Sequence, residues 1–170
     1  MAGSPYTITC APGTLSAANY SFQTGSTGAL AITKATLNVN ADPSSKTYGD
    51  ADPAFTYTFS GFQFSDNTGS SSITGTASCS RTSGQTVAGS PYTITCAPGT
   101  LSSPNYSFAT GTTANFTISR RVLSVNADSK TKTYGAGDPA FTYGFSGFAS
   151  GENATNVTIS GSANCSRAAG

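Results

Sequence analysis

Displaced by 86 positions, the sequence falls onto itself without a gap. Gly3-Ser-Pro-Tyr-Thr-Ile-Thr-Cys10 lands on Gly89-Ser-Pro-Tyr-Thr-Ile-Thr-Cys96, Lys46-Thr-Tyr-Gly49 on Lys132-Thr-Tyr-Gly135, and Cys79-Ser-Arg81 on Cys165-Ser-Arg167. A fixed offset of this kind marks a tandem array. The period exceeds that of solenoid repeats, so each unit is expected to hold a core of its own. The length is two periods less two residues, since only Gln85 and Thr86 lack a counterpart. The phase of the repeat therefore decides whether the chain carries two whole units or one whole unit between two halves.

Charge narrows the choice of partners. Only 9% of residues are charged and the net charge is +1, with Lys and Arg scattered rather than striped. Such a surface argues against nucleic acid and against binding to an acidic membrane. No apolar run approaches the roughly 18 residues that span a bilayer, so membrane insertion is not expected. Met1 precedes Ala-Gly-Ser-Pro instead of a basic segment and an apolar core, so no signal peptide is expected and Met1 reads as an added start. Histidine is absent, which removes the commonest general base and the commonest metal ligand together.

Apolar residues alternate with period two, and a helical period is missing. Phe55-Thr-Tyr-Thr-Phe59 sets three aromatics on one face and two threonines on the other. Tyr92-Thr-Ile-Thr-Cys96, Leu37-Asn-Val-Asn-Ala41, Tyr106-Ser-Phe108, Phe116-Thr-Ile118 and Ile73-Thr-Gly-Thr-Ala-Ser-Cys79 follow the same scheme. Threonine on the open face solubilises a half-buried strand without charge. Gly and Pro separate the runs at Tyr48-Gly49, Asp52-Pro53 and Ala97-Pro-Gly99. A mostly antiparallel, all-β repeat is expected. By turn propensity alone, the break falls at Ser83–Ser90, giving whole units at 1–84 and 87–170.

A family resemblance moves that boundary. The run Leu37-Asn-Val-Asn-Ala41, then Lys46-Thr-Tyr-Gly-Asp-Ala-Asp-Pro-Ala-Phe-Thr-Tyr57, then Ser60-Gly-Phe62 resembles the opening of the MBG repeats (YGX type) of bacterial secreted adhesins. Pro91-Tyr-Thr-Ile94, Asn105-Tyr-Ser-Phe108 and Asn115-Phe-Thr-Ile-Ser119 resemble the second half of such a repeat. The resemblance implies a β-grasp-like or β-sandwich-like module in an adhesin stalk, with a structural role. It also implies an intact repeat at 35–120, the back half of a preceding repeat at 1–34, and the front half of a following one at 121–170. Two cysteines per repeat depart from the family pattern.

With no histidine and no close cysteine pair, a zinc site is not expected, and a nucleophilic cysteine would lack its base. One disulfide per repeat in an oxidising extracellular setting is the better reading, with buried free thiols as the alternative. In the phase the resemblance implies, Cys79 pairs with Cys96. By loop-closure entropy this bond stabilises the repeat by about 3 kcal/mol. In the phase of two whole units, Cys10 would pair with Cys79 and Cys96 with Cys165.

Cys10 and Cys165 stand at opposite ends of the chain, in positions equivalent to Cys96 and Cys79. Residues 1–34 of one molecule and 121–170 of another together supply one whole repeat. Half a repeat exposes strand edges and half a core, an association-prone condition. The expectation is head-to-tail self-assembly by strand complementation, locked by an intermolecular Cys10–Cys165 bond. The interface would include Tyr6, Ile8, Leu15, Tyr20 and Phe22 from the back half, with Phe141, Tyr143, Phe145 and Ile159 from the front half. The partner is the chain itself, as a filament, a closed ring or a domain-swapped dimer. The plainer alternative is two fragments of flanking repeats cut from an array.

Other candidates carry less. Asp42, Asp50, Asp52, Asp128 and Asp138 lack EF-hand spacing and read as turn residues. A lysine crosslink through Lys46 or Lys132 would need a buried acid, and Glu152 is the sole glutamate. The Asn-x-Ser/Thr frames at Asn19, Asn105, Asn115, Asn153, Asn156 and Asn164 are frequent by chance in such a composition. No enzyme, cofactor or metal is expected. A structural stalk or fibre protein at the bacterial surface or outside the cell is the first reading. An adhesive module binding a host glycan or protein through its loops is the second.

Overall fold

The structure is a computed structural model that describes residues 4–169, so the reading of Met1 lies outside the described residues. Among the described residues the fold is all-β, without a helix. The strands in chain order are β1 (Tyr6–Ile8), β2 (Gly28–Leu30), β3 (Ala35–Ala41), β4 (Ser44–Thr47), β5 (Tyr57–Ser60) and β6 (Ser78–Arg81). They continue as β7 (Tyr92–Ala97), β8 (Tyr106–Thr110), β9 (Ala114–Ser119), β10 (Ser124–Ala127) and β11 (Tyr143–Ser146). The chain divides into two compact units. The first holds the chain up to Asp42 with Thr56–Ser80 and Thr95–Thr113, and the second holds Pro43–Phe55, Arg81–Ile94 and the chain from Ala114 onward.

The first unit is organised on β3, whose alternation buries Leu37, Val39 and Ala41 and turns Asn38 outward. β3 is the middle strand of a sheet ordered β5-β3-β8. β5 runs antiparallel to it with Val39 opposite Phe59, and β8 runs parallel with Leu37 opposite Phe108. Over this sheet lies an aromatic layer. The Phe59 ring is 5.5 Å from Tyr57, 5.8 Å from Phe108 and 6.4 Å from Phe62, between centroids. Edge-on and tilted pairs of this kind contribute roughly 0.5–1.5 kcal/mol each beyond the area they bury. Tyr106 closes the layer: its hydroxyl donates to Asp66 at 2.6 Å and accepts from the backbone N–H of Gln63 at 3.1 Å. A disulfide joins Cys79 to Cys96. The unit also contains the hairpin β1-β2.

In the second unit β9 pairs in parallel with β4 and antiparallel with β7, within a sheet ordered β4-β9-β7-β6. Ile94, Phe116 and Ile118 are its buried centre, and Phe55 meets Phe116 edge-on at 5.6 Å. The hairpin β10-β11 belongs to this unit.

One expectation is refined and one changes. The ladders are mostly antiparallel, as in β1-β2, β3-β5, β7-β9 and β10-β11, but not wholly so, because β3 with β8 and β4 with β9 are parallel. Alternation fixes which face a residue takes, not which strand lies beside it. The run from Ile73 to Cys79 is not one strand either, since β6 starts at Ser78 and Thr74 makes only an isolated bridge to Ser102. Gly75 breaks it, with φ at +81° and its backbone so close to Thr100 that a Cβ would fall 2.2 Å from the Thr100 carbonyl oxygen.

Candidate assembly interface

Across residues 35–120 the parallel ladders reach furthest along the sequence. The antiparallel pairs β3-β5 and β7-β9 each join strands from the same half of the repeat. The parallel pairs β3-β8 and β4-β9, and the Cys79–Cys96 bond, each join the front half to the back half.

Among the described residues, 4–34 and 121–169 keep the first kind of pairing and lack the second. β10-β11 pairs Ser124 with Ser146 through Ala127 with Tyr143, the register of Asn38 with Ser60 through Ala41 with Tyr57 shifted by one period. β1-β2 pairs Tyr6 with Leu30 and Ile8 with Gly28, matching Tyr92 with Phe116 and Ile94 with Ala114. Residues 20–24 and 130–133, one period from β8 and β4, form no strand. The aromatic spacing of the front half is already set: Tyr143 to Phe145 is 5.5 Å and Phe145 to Phe148 is 6.5 Å.

Burial follows the same division. Ile94 is 0% exposed and its counterpart Ile8 is 46% exposed; Tyr106 is 3% and Tyr20 is 79%; Val39 is 0% and Val125 is 52%. Leu30 and Ile32, counterparts of the buried Phe116 and Ile118, are also exposed. Identical or similar side chains thus lie in a core at one place in the chain and in solvent at another.

Each expected interface residue has a definite place. Tyr6 and Ile8 stand on β1, and with Leu15, Tyr20 and Phe22 they are exposed. Tyr143 and Phe145 stand on β11, and with Phe141 they are half-buried, while Ile159 is exposed. Cys10 is an exposed free thiol and Cys165 a half-buried one. The back-half residues fall in the first unit and the front-half residues in the second.

An ion cluster escaped the sequence reading. Asp52 takes Lys46 at 2.8 Å on one carboxylate oxygen and Arg81 at 2.7 Å on the other. Both cationic side chains are buried, and the Arg81 guanidinium lies 4.7 Å from the Phe116 ring centroid and 5.2 Å from that of Tyr92. Hydrogen bonds from Arg81, then Lys46, lower the Asp52 carboxyl to about 2. One period on, Asp138 meets Lys132 and Arg167 at 2.6 Å each, but both of these cations are solvent-exposed. Lys132, then Arg167, hold the Asp138 carboxyl below its ordinary value. The signal was present: six of the chain's fifteen charged residues, eight basic and seven acidic, are these two triads one period apart. Asp52 and Asp138 are therefore ion-pair centres rather than simple turn residues. Among the described residues no group of three or more Cys, Asp or Glu is placed to hold a metal.

A family model for the MBG domain (YGX type) matches residues 37–117 and, separately, 123–170. The chain belongs to this family. MBG domains are associated with surface adhesin-like repeat proteins and are typical of extracellular proteins. No curated protein and no solved structure matches the chain. The first MBG match runs from within β3 to within β9, and the second covers β10 and β11. Among the described residues no helix is long and apolar enough to cross a membrane.

Proposed function

We propose that this MBG chain is a mechanical, non-enzymatic stalk or fibre element of a bacterial surface adhesin, displayed outside the cell, whose half-repeats are completed by another copy. The division of pairings carries the reading: among the described residues, the ladders that would join a front half to a back half are missing at the termini, while β1-β2 and β10-β11, internal to a half, are formed in the register of the central repeat. The expected joint follows by subtraction. Leu123 of one copy pairs in parallel beside Phe22 of the next, Lys132 beside Ile32, and Cys165 bonds to Cys10. Absence of histidine from the whole sequence supports a role without catalysis.

The gain and the cost at the joint are of similar size. Tyr6, Ile8, Tyr20, Phe22, Leu30, Ile32 and Val125 are exposed in the single chain. Burying them at roughly 1.5 kcal/mol apiece contributes on the order of 10 kcal/mol. Association costs about 4–15 kcal/mol in lost freedom. The non-covalent joint is then near balance, and the disulfide makes it persistent. Neither Lys34–Leu37 nor Arg120–Leu123 offers a slack linker for a chain to close on itself, so open filaments are favoured over rings.

A non-reducing gel tests this. The oxidised chain should give a ladder of covalent multimers that collapses with reductant to one 17.1 kDa band. Cys10→Ser or Cys165→Ser should abolish the ladder. One monomer band under both conditions would contradict the reading.

A further inference from the structure

The junction between the central repeat and the half-repeat after it is formed inside the second unit, around the turn that follows β4. Tyr48 donates its hydroxyl to Glu152 at 2.6 Å, and Arg121 donates to the Tyr48 carbonyl at 2.8 Å and pairs with Asp50. Gly49 sits so close to Ala149 that a Cβ on it would fall 2.3 Å from the Ala149 methyl. The turn of one repeat is thus seated on the start of the next, and the contact is specified by six residues, Tyr48, Gly49, Asp50, Arg121, Ala149 and Glu152.

Shifted by one period, the two sides of this junction fall on surfaces that face solvent. Tyr48-Gly49 becomes Tyr134-Gly135. Tyr134 is fully exposed, and nothing lies within 4 Å of the Cβ position of Gly135. On the receiving side, Ala149, Ser150 and Glu152 become Gln63, Phe64 and Asp66 in the first unit. Phe64 is fully exposed and held at a φ of +55°, an unfavourable conformation for a bulky side chain. The Gln63 side-chain amide donates to the Gly61 carbonyl at 3.1 Å, and Gln63 is the counterpart of Ala149 one period back. The ion pair supplies an independent sign. Asp50 becomes Ala136 and Arg121 becomes Ala35, so both members are lost together, as they would be if the two positions faced each other.

We propose that the Tyr134-Gly135 turn of one copy docks on Gln63, Phe64 and Asp66 of the next copy, with the Tyr134 hydroxyl donating to the Asp66 carboxylate. The partner is a second copy of this chain, and the contact rests on the half-repeat complementation proposed above. It adds a second contact to each joint, beyond the repaired repeat, and fixes the angle between the repaired repeat and the intact one behind it. Asp66 already accepts from Tyr106, and a carboxylate has the capacity for another donor. Seating Tyr134 there covers Phe64, whose exposure otherwise has no compensation.

Photocrosslinking tests the contact in the full chain. Tyr134 is replaced by benzoylphenylalanine, and isotopically heavy and light chains are mixed and oxidised. The expected product links position 134 to the peptide holding residues 62–66, between a heavy and a light chain. Multimers joined through Cys10 and Cys165 whose position 134 links elsewhere, or only within one chain, would overturn the docking and leave complementation standing. Failure of the unmodified chain to form those multimers would remove both. A second measurement covers the case where the probe itself blocks assembly. Under reductant, Ala35→Arg and Ala136→Asp together should tighten self-association about 2–5-fold beyond the product of the single changes. Strictly additive effects would overturn the docking.

Discussion

Asp52 concentrates the electrostatics of the central repeat on one carboxylate. Its two cationic partners are nearly dry, so neutralising it leaves Lys46 and Arg81 buried without a counter-charge. Asp52→Asn should destabilise the central repeat by about 2 kcal/mol, measured by urea unfolding. The pH dependence has a definite sign. A carboxyl lowered in the folded state to about 2 from 3.8 stabilises fully above the unfolded value, and that contribution fades as pH falls from about 4 to about 2. Urea midpoints across that range should drop for the parent and fall less for Asp52→Asn. An equal drop in both would contradict the assignment. Asp138 carries the same triad in open solvent, where screening makes such pairs weak. Residue identity alone told little here, because a lone Asp before Pro reads as a turn. The information lay in the recurrence of Lys, Asp and Arg together.

At the scale of strands, one substitution made one period apart should give two different results. Ile94→Ala opens a cavity in a filled core and should cost about 3 kcal/mol of unfolding free energy. Ile8→Ala removes an exposed side chain and should leave the stability of the reduced monomer within about 0.5 kcal/mol, while weakening multimer formation on size exclusion. Loss of stability in the Ile8→Ala monomer would mean that β1 is already packed in the single chain. Replacing Cys79 and Cys96 together by serine should lower the denaturation midpoint by the equivalent of about 3 kcal/mol. The faces of β3, β5 and β7 were legible from period-two alternation, since Leu37, Val39, Ile94 and Cys96 are the buried positions it singles out. Strand neighbours were not legible. Nothing in Leu37-Asn-Val-Asn-Ala41 distinguishes a parallel partner about 70 residues away from an antiparallel one 20 residues away, and β3 has both. Gly75 marks the limit from the other side, because the backbone that leaves no room for a Cβ there, at Thr100, comes from a distant segment.

For the whole molecule, the proposed function rests on the repeat phase more than on any single site. Turn chemistry favoured a break at Ser83–Ser90, whereas in the structure that stretch lies between the two cysteines of one disulfide. The most loop-like segment of the chain thus lies within the loop that the disulfide closes, and an extended run with no turn signal, Ala29–Val39, leads into β3. In the proposed assembly the two ends of the chain are complementary faces, which is the requirement for head-to-tail growth. An intermolecular disulfide would then make that growth persistent. Mass-spectrometric mapping of bonds in an oxidised mixture of heavy and light chains is the most direct test. The expected result is Cys79 bonded to Cys96 within chains and Cys10 bonded to Cys165 between a heavy and a light chain. Cys10 and Cys165 left as thiols, bonded within one chain, or exchanged into Cys10–Cys79 and Cys96–Cys165 would contradict it.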